Sequence, residues 1–294
     1  MHVLPSNHEC SLAPSTPVVD LDEAADRLDR WFGDCPSAAV AFSGGVDSAL
    51  VAYWARRCLG RDRCAAWTAD SPSLKRSDLE IARAFCTEHD IALRLLETRE
   101  IDDPGYASNP VDRCFHCKKT LYRTLISELA GAVEETWVCS GANLDDQGDY
   151  RPGLIAAANE SVRHPLLECG VGKETIRALA KDRGLGVWDK PASPCLSSRI
   201  PYGQAVRVEK LAQIEAAEAW MHERGFPVCR VRHLGVTARI EVPADRLRAL
   251  QPVWPDLLDV LAQLGFEGGE LDHEGFVSGK LNRAIGKSGA EERS

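Results

Sequence analysis

The chain has 294 residues, 44% of them hydrophobic and 27% charged, which is the composition of an ordinary globular protein. Its net charge of −9 argues against a protein that holds a long polyanion on a basic face, so a nucleic-acid partner is not expected. No apolar run reaches the roughly 20 residues of a membrane helix. Residues 1–17 lack the features of a secretory signal. We therefore expect a cytoplasmic protein that begins with a flexible tail over residues 1–19.

In the first half of the chain, short apolar runs alternate with segments of helical spacing. The apolar runs predict strands at 38–42, 64–68, 91–96 and 136–139. The helical spacing predicts helices at 48–58, 75–89, 117–130 and 173–183. Strands separated by helices indicate an α/β fold with a parallel sheet covered on both faces. The loops that follow the strands then meet at one edge, where ligands bind.

The pattern changes at residues 189–194, which contain two prolines and cannot continue a helix. Beyond them we predict a helix, a hairpin, another helix and a final pair of strands, at 206–224, 228–232 with 239–242, 244–250 and around 265–280. This order favours a smaller α+β domain over 198–286, following a first domain over 20–197.

A candidate phosphate loop follows the first strand, with the sequence Ser43-Gly44-Gly45-Val46-Asp47-Ser48. The two glycines allow a sharp turn and a close approach of the backbone to an anion. The helix that follows adds unpaired N–H groups and the positive end of its dipole. Ser43 and Ser48 can donate hydroxyl hydrogen bonds to phosphate, whereas Asp47 would need a bridging Mg²⁺. The alternative is a helix N-cap after an incidental Gly-Gly turn.

The loop lacks the Gly-Lys-Ser/Thr of a Walker A loop and resembles the SGGxDS loop of PP-loop ATP pyrophosphatases, which have an adenine nucleotide alpha hydrolase-like fold. The resemblance implies that ATP and Mg²⁺ are used to attach AMP to a substrate oxygen, which a nitrogen or sulfur nucleophile then displaces. It also implies catalytic roles for Asp47 and Ser48. The residues it places at ATP are Ser43, Gly44, Gly45, Asp47, Ser48, Ser71, Gly141 and Asn143.

Three later segments narrow this resemblance: residues 113–118 with a CxxC, residues 141–153 after the fourth strand, and residues 194–203, which contain Cys195. Together with the phosphate loop they resemble the LarE family over residues 38–282. This resemblance implies a homo-oligomeric sulfurtransferase of nickel-pincer nucleotide synthesis. Its small-molecule substrate would be a pyridinium mononucleotide with two carboxylates. ATP would adenylate a carboxylate, and sulfur would then replace oxygen to give a thiocarboxylate.

Eleven cysteines without a secretory signal speak against a disulfide framework. Most of them are expected to be small buried hydrophobic residues, among them Cys58, Cys64, Cys86, Cys139 and Cys169. The resemblance implies two alternatives for the sulfur source. Cys114, Cys117 and Cys195 hold a 4Fe–4S cluster with one open iron, or Cys195 gives up its own sulfur. Cys195 is catalytic in both cases, and a zinc site at the CxxC is a further alternative.

The second domain has an arginine pair that suits an anionic substrate. Arg230 and Arg232 are two apart, so they share one face of a strand, and their guanidinium groups match phosphate or carboxylate. Arg199 and Glu218 are candidates for the same substrate site. Glu218 and Glu241 could balance the charge or bind metal. The alternative for each arginine is a solvated charged surface.

Two other functions compete with this interpretation. A tRNA 2-thiolation enzyme also combines a PP-loop with a CxxC and a third cysteine, although the acidic composition and the absence of further CxxC motifs argue against it. A binding protein that responds to ATP without catalysis is the second alternative. Release of pyrophosphate in the presence of substrate would exclude the latter.

Overall fold

The computed structural model describes residues 20–131, 135–148, 151–277 and 280. The tail predicted for residues 1–19 and the end of the second domain, predicted to reach residue 286, lie outside these described residues. None of the described helices combines the length and the apolar character that crossing a membrane requires.

Four strands form a parallel sheet in the order β3-β2-β1-β4. They are β1 (Ala38–Ala41), β2 (Cys64–Asp70), β3 (Ala92–Glu97) and β4 (Trp137–Cys139). The central strand β1 pairs with β2 on one side and with β4 on the other. The predicted α/β class with a parallel sheet is thus confirmed.

Eleven α-helices occur in the described residues. They are α1 (Leu21–Gly33), α2 (Val46–Leu59), α3 (Arg76–Glu88), α4 (Pro104–Ala107), α5 (Arg113–Leu129), α6 (Pro152–Asn159), α7 (Pro165–Glu168), α8 (Lys173–Asp182), α9 (Val208–Glu223), α10 (Leu247–Leu250) and α11 (Trp254–Gln263). Short 3₁₀ helices lie at Glu100–Asp102, Leu144–Gly148, Leu196–Arg199, Ala244–Arg246 and Gln251–Val253. Among the longer helices, α1 and α11 were not predicted, and neither were the shorter α4, α6 and α7.

The parallel sheet is covered on both faces because alternate residues of β1 point to opposite sides. Val40 belongs to a core that includes Trp54 of α2 and Leu179 of α8. Ala39 belongs to a second core with Leu125 of α5. Since both faces are buried, the loops at the carboxyl edge of the sheet are left as the place for a ligand.

A second, mixed sheet of three strands follows, in the order β5-β6-β7. Its strands are β5 (Arg230–His233), β6 (Thr237–Glu241) and β7 (Gly268–Leu271). β5 and β6 form the predicted antiparallel hairpin, but β7 pairs with β6 in parallel. The predicted final pair of strands is therefore wrong for the described residues, since α11 returns the chain so that a single strand joins β6. The predicted domain boundary at 197/198 falls within the short helix Leu196–Arg199 and stays a prediction.

Candidate functional site

The loop between β1 and α2 is closed by hydrogen bonds among its own atoms. The Ser48 hydroxyl donates to the carbonyl oxygen of Gly45 at 3.1 Å and accepts from the backbone N–H of Ser43 at 3.2 Å. Gly44 has a φ of +71°, and a Cβ there would lie 3.2 Å from the carbonyl oxygen of Asp78. Glycine is therefore needed for its conformation and for its size. A tight turn that leads directly into a helix is an arrangement that binds phosphate.

Asp47 in the first turn of α2 has one engaged oxygen and one without a partner. Its Oδ2 accepts from the Nζ of Lys173, the first residue of α8, at 2.5 Å. Its Oδ1 is buried and has no hydrogen-bond partner among the described residues. Leaving a buried carboxylate oxygen unpaired is costly. A Mg²⁺ ion bridging to phosphates would use this oxygen, so the residues present fit the predicted magnesium–nucleotide ligand.

The loop after β4 packs directly against the start of α2. A Cβ on Gly141 would lie 2.6 Å from the backbone nitrogen of Ser48, so even a methyl group would displace the phosphate loop. Asn143 is buried, and its Oδ1 accepts from the backbone N–H of Asp145 at 3.1 Å. Gly141 thus packs against the phosphate loop, whereas Asn143 closes the turn that follows it.

Ser71, at the end of β2, belongs to a buried chain of side-chain hydrogen bonds. Its hydroxyl is 2.9 Å from that of Ser73, which donates to Oε1 of Glu100 at 2.8 Å. The backbone N–H of Leu196 donates to the carbonyl oxygen of Ser73 at 2.9 Å. Ser71 therefore lies in a loop that is tied to the residue after Cys195.

A pocket of about 300 Å³ opens in front of the phosphate loop. It is lined by loop residues between Ser43 and Asp47, by Lys173 and Arg177 of α8, and by residues 190–194. One wall of this pocket thus continues directly into Cys195, which is exposed. Ser71 instead lines a second pocket of about 510 Å³ at the ends of β2 and β3.

Lys190 joins this wall to the phosphate loop. Its Nζ donates to the carbonyl oxygen of Gly44 at 3.0 Å and pairs with Oδ1 of Asp78 at 2.9 Å. The Ser193 hydroxyl donates to Oδ2 of the same Asp78 at 2.7 Å. Arg177 also stabilises this wall, because it donates to the carbonyl oxygen of Lys190 at 3.0 Å. The segment before Cys195 is therefore fastened to the loop that would hold phosphate.

Arg199 is buried and bonded to protein groups on both sides. Its Nε and Nη2 donate to Glu218 at 2.8 and 3.1 Å, and its Nη1 donates to the carbonyl oxygens of Pro194 and Cys195 at 2.8 and 3.2 Å. Glu218 also pairs with Lys75 at 2.9 Å. Burial raises the pKa of Glu218, but Arg199 and Lys75 together lower it by more, so the pKa of Glu218 lies below its ordinary value. Arg199 thus fixes the backbone around Cys195.

Arg232 clamps the same segment from the second sheet. Its Nε and Nη2 each donate to Glu241 at 3.0 Å, and its Nη1 donates to the carbonyl oxygen of Ser198 at 2.7 Å. The two glutamates considered as metal ligands, Glu218 and Glu241, are therefore the counter-ions of two buried arginines.

Arg230 differs from its neighbours because it has no ion pair with a carboxylate among the described residues. Its guanidinium lies 4.4 Å from the centre of the Phe276 ring. Burial, followed by the charges of Arg199 and Arg232, lowers the pKa of Arg230 to about 10. Among the described residues, the cations Lys75, Arg199, Arg230 and Arg232 lie around the two carboxylates of Glu218 and Glu241, so these six side chains together carry a positive excess suited to an anion.

The three candidate cysteine ligands are brought to one place. Cys114 and Cys117 are three residues apart in the first turns of α5, so they share one face of the helix. Arg113 donates to the carbonyl oxygen of Ser197 at 2.9 Å, which holds the Cys195 segment against the start of α5. Burial and, after it, the charge of Glu100 raise the pKa of Cys117 to about 12, with smaller contributions in the same direction from Cys195 and Cys114. The three thiols thus lie within range of each other's charge.

Three cysteine thiols are the donors that an iron–sulfur cluster with one open iron uses. Within the described part of the chain, no group of three His, Cys, Asp or Glu side chains is arranged to hold a metal ion. The cluster and the zinc site both stay predictions.

The other cysteines behave as the sequence predicts. Cys64, Cys86, Cys139 and Cys169 are buried and Cys58 is half-buried. Burial raises the pKa of each, to about 12 for Cys86 and about 11 for Cys58 and Cys169. They are therefore inert thiols at neutral pH.

Three residues at the pocket were not predicted from the sequence. Lys173 had a usable signal, because a cation at the first position of a helix opposes the helix dipole and calls for a local partner. Lys190 stands in a polar segment before a proline, where nothing distinguishes it from a solvated lysine. Asp78 lies in the first turn of α3, an ordinary position for an acidic residue, so its role is visible only in the structure.

Comparison with known proteins places the chain in a family. A family model described as NAD synthase matches residues 34–109, which contain β1, β2, β3 and the phosphate loop. The chain is 34% identical over 255 residues to the pyridinium-3,5-bisthiocarboxylic acid mononucleotide synthase of Lactiplantibacillus plantarum, covering 87% of this chain and 92% of that protein. The chain belongs to this family, the LarE family.

Two further relatives frame the LarE assignment. An uncharacterized protein of Synechocystis is 42% identical over 269 residues, which are 91% of this chain and all of that protein. A component of the glutamine-hydrolysing GMP synthase of Pyrococcus furiosus is 25% identical over 224 residues, 69% of this chain and 68% of that protein. The resemblance to LarE proteins inferred from the four motifs is thereby confirmed.

Proposed function

We propose that this LarE-family protein is an ATP-dependent sulfurtransferase of nickel-pincer nucleotide synthesis. Its substrate is a pyridinium mononucleotide with two carboxylates, and its product is a thiocarboxylate. The observation that carries the proposal is the pocket in front of the phosphate loop, one wall of which runs into Cys195. Activation of oxygen and delivery of sulfur must occur at one carboxylate, so the two groups need to be neighbours. The name of the Lactiplantibacillus relative supports the same substrate class.

In the first step, a carboxylate oxygen of the substrate attacks the α-phosphorus of ATP, and pyrophosphate leaves. The loop between β1 and α2 holds the phosphates through its backbone N–H groups, and Oδ1 of Asp47 would hold Mg²⁺, which when bound would offset phosphate charge. Lys173 places its ammonium beside Asp47, where it offsets negative charge on the departing pyrophosphate. The product of this step is an acyl adenylate, whose AMP is a good leaving group.

In the second step, sulfur attacks the acyl carbon and AMP leaves. Cys114, Cys117 and Cys195 would hold a 4Fe–4S cluster, which when bound supplies a transferable sulfide at its open iron. Arg199 donates to the carbonyl oxygens of Pro194 and Cys195, and Arg232 donates to that of Ser198, so that Cys195 keeps its position relative to the pocket. Arg230, which lacks a carboxylate partner among the described residues, anchors the phosphate or the second carboxylate of the substrate.

Iron and acid-labile sulfide content after anaerobic purification tests the sulfur source. We expect iron in the parent chain, and we expect Cys114→Ala, Cys117→Ala and Cys195→Ala each to abolish iron binding and sulfur transfer together. Repeated turnover with added sulfide should follow. In the sacrificial alternative only Cys195→Ala is inactive, and the intact mass of the active, iron-free protein shows loss of hydrogen sulfide from Cys195. That mass would overturn the cluster and leave the rest of the proposal in place.

Pyrophosphate release tests the proposal as a whole. With the mononucleotide substrate and ATP we expect release of pyrophosphate and AMP, and no release would contradict an enzyme of this type. Filter binding with bulk tRNA separates the thiolation alternative, for which tight binding to tRNA is required. The homo-oligomer implied by the resemblance stays a prediction, which light scattering can check.

A further inference from the structure

Lys118 lies beside the three thiols but has no role in the steps above. It is the residue after Cys117 on α5, and it is four residues after Cys114, so Lys118 and Cys114 are neighbours on the helix surface. Its side chain is half-buried, and a Cβ on Gly153 of α6 would lie 3.2 Å from its Cγ. Its Nζ lies 5.9 Å from the centre of the Tyr122 ring. The surrounding helices therefore limit where the ammonium can be.

Within the described part of the chain, no carboxylate pairs with the ammonium of Lys118. Among the described residues it forms no ion pair and no hydrogen bond, which is unusual for a half-buried cation. The neighbouring cation Arg113 is held in place, since its Nη1 donates to the carbonyl oxygen of Ser197 and to Oδ1 of Asn109. Lys118 is thus a charge held close to the thiols and available to a ligand.

The positive charge of Lys118 acts on the thiols of Cys114 and Cys117. Burial raises the pKa of Cys114 and of Cys117, and Lys118 acts in the opposite direction on both thiols, as Arg113 does on Cys114. The buried Glu100 adds negative charge at Cys117. An anion that approaches the thiols is therefore repelled by Glu100 and attracted by Lys118.

We propose that Lys118 is the electrostatic anchor for an anionic sulfur donor, hydrosulfide in its simplest form, that enters the three-cysteine site. The inference rests on the proposed sulfur transfer and assigns one step of it, the arrival of sulfur, to a named side chain. A cluster held by the three cysteines would form an anionic surface that disfavours a second anion. Lys118 offsets this repulsion where the helix face is open, and the donor needs no binding pocket of its own.

The metal-free, reduced chain provides a test that needs no enzymatic activity. Cys114 and Cys195 are exposed, so their alkylation by anionic iodoacetate and by neutral iodoacetamide can be followed by peptide mass spectrometry. A change in thiolate fraction affects both reagents alike, so the ratio of the two rates reports the field at the thiol. For Lys118→Met we expect the iodoacetate rate divided by the iodoacetamide rate to fall roughly three- to tenfold. This is the size of the effect of one nearby unit charge in a partly screened site.

Two variants make the comparison specific. Lys118→Arg keeps the charge and should preserve the ratio, whereas Lys119→Met removes the next lysine of α5 and should leave the ratio unchanged. An unchanged ratio in Lys118→Met would overturn the proposal, and so would an equal fall in Lys119→Met. If Lys118→Met does not fold, the rates of the Lys118→Gln and Lys118→Arg variants answer the same question.

The dependence of the sulfur-transfer rate on sulfide concentration then tests whether the charge of Lys118 matters for function. In the loaded enzyme, Lys118→Met should raise the sulfide concentration for half-maximal rate roughly tenfold, with the rate at saturating sulfide nearly retained. A loss of rate at all sulfide concentrations, without a shift in half-saturation, would contradict an anchoring role. If no sulfur transfer is found in the parent chain, the proposed function fails, while the alkylation ratio still decides whether Lys118 attracts anions.

Discussion

The phosphate loop and the Cys195–Arg199 segment lie beside the same pocket, but different forces hold them. The loop is closed by its own backbone and by the hydroxyl of Ser48, over six residues of sequence. The Cys195 segment is held by Arg199 and Arg232, whose charges are balanced by Glu218 and Glu241. A locally closed loop keeps its shape when a distant side chain changes, whereas a segment held by buried ion pairs depends on every partner.

The strongest test of this difference is Glu218→Gln. This change leaves Arg199 and Lys75 buried without their carboxylate, and breaking a buried pair from one side costs about 3–5 kcal/mol. We expect a loss of that size in the free energy of unfolding, measured by urea titration. Glu223→Gln on the exposed face of the same helix is the matched control and should be nearly neutral. Equal stability of the two variants would contradict the clamp.

Asp47→Asn tests the loop at its ligand side. The variant keeps the shape of the side chain but removes the negative charge that would bind Mg²⁺. Loss of one such contact commonly lowers a rate by roughly 10²–10³. We expect pyrophosphate release to fall by this factor while the free energy of unfolding changes little. Wild-type release in this variant would remove the loop from the mechanism.

Gly141→Ala tests the fit between the β4 loop and the phosphate loop. The added methyl group would lie 2.6 Å from the backbone nitrogen of Ser48, and such overpacking costs about 1–3 kcal/mol. We expect weaker ATP binding in calorimetry together with this loss of stability. Gly186→Ala is the matched control, because a Cβ there meets nothing within 4 Å. Similar behaviour of the two variants would show that the loops are not in close contact.

The smallest effect concerns an ion pair at the surface, Arg163 with Glu168. Burial raises the pKa of Glu168, but Arg163, the backbone N–H of His164 and Trp31 lower it more, to about 2 from an ordinary value of 4.5. The stabilisation is thus complete above about pH 4.5 and is lost as the pH falls toward 2. Thermal unfolding between pH 4.5 and 2 should show that the free energy of unfolding falls by about 0.2–1 kcal/mol through this ion pair. This acid-dependent loss should be absent in Glu168→Gln and present in the control Glu88→Gln.

The same contrast explains what could be predicted from the sequence. The phosphate loop, its flanking strand and helix, and the parallel sheet depend on local signals, and they lie where the sequence predicts them. The partners of Arg199 and Arg232 come from other parts of the fold, so the sequence assigned both arginines to an anionic substrate and could not reveal their carboxylate partners. Burial decided their role, because a buried guanidinium must be paired within the protein.

Two elements were missed for more specific reasons. α1 has a regular start, with Asp20 accepting from the backbone N–H of Glu23 at 3.0 Å, but it follows the segment predicted as a tail. β7 contains two glycines in four residues, which hides the alternation that marks a strand. The second glycine is required by packing, since a Cβ on Gly269 would lie 2.8 Å from a methyl group of Leu261.

The mixed second sheet has a consequence for the order in which the chain is built. β5 and β6 can pair as soon as the hairpin between them has been synthesised, because only a short turn separates them. About 30 further residues must then be synthesised before β7, the second neighbour of β6, can pair with it, and α11 lies between the two strands. Until then one edge of β6 exposes unpaired backbone groups, a template on which another chain can add. The most vulnerable moment of biosynthesis therefore falls late, when the hairpin that carries Arg230 and Arg232 is complete but still open on one side.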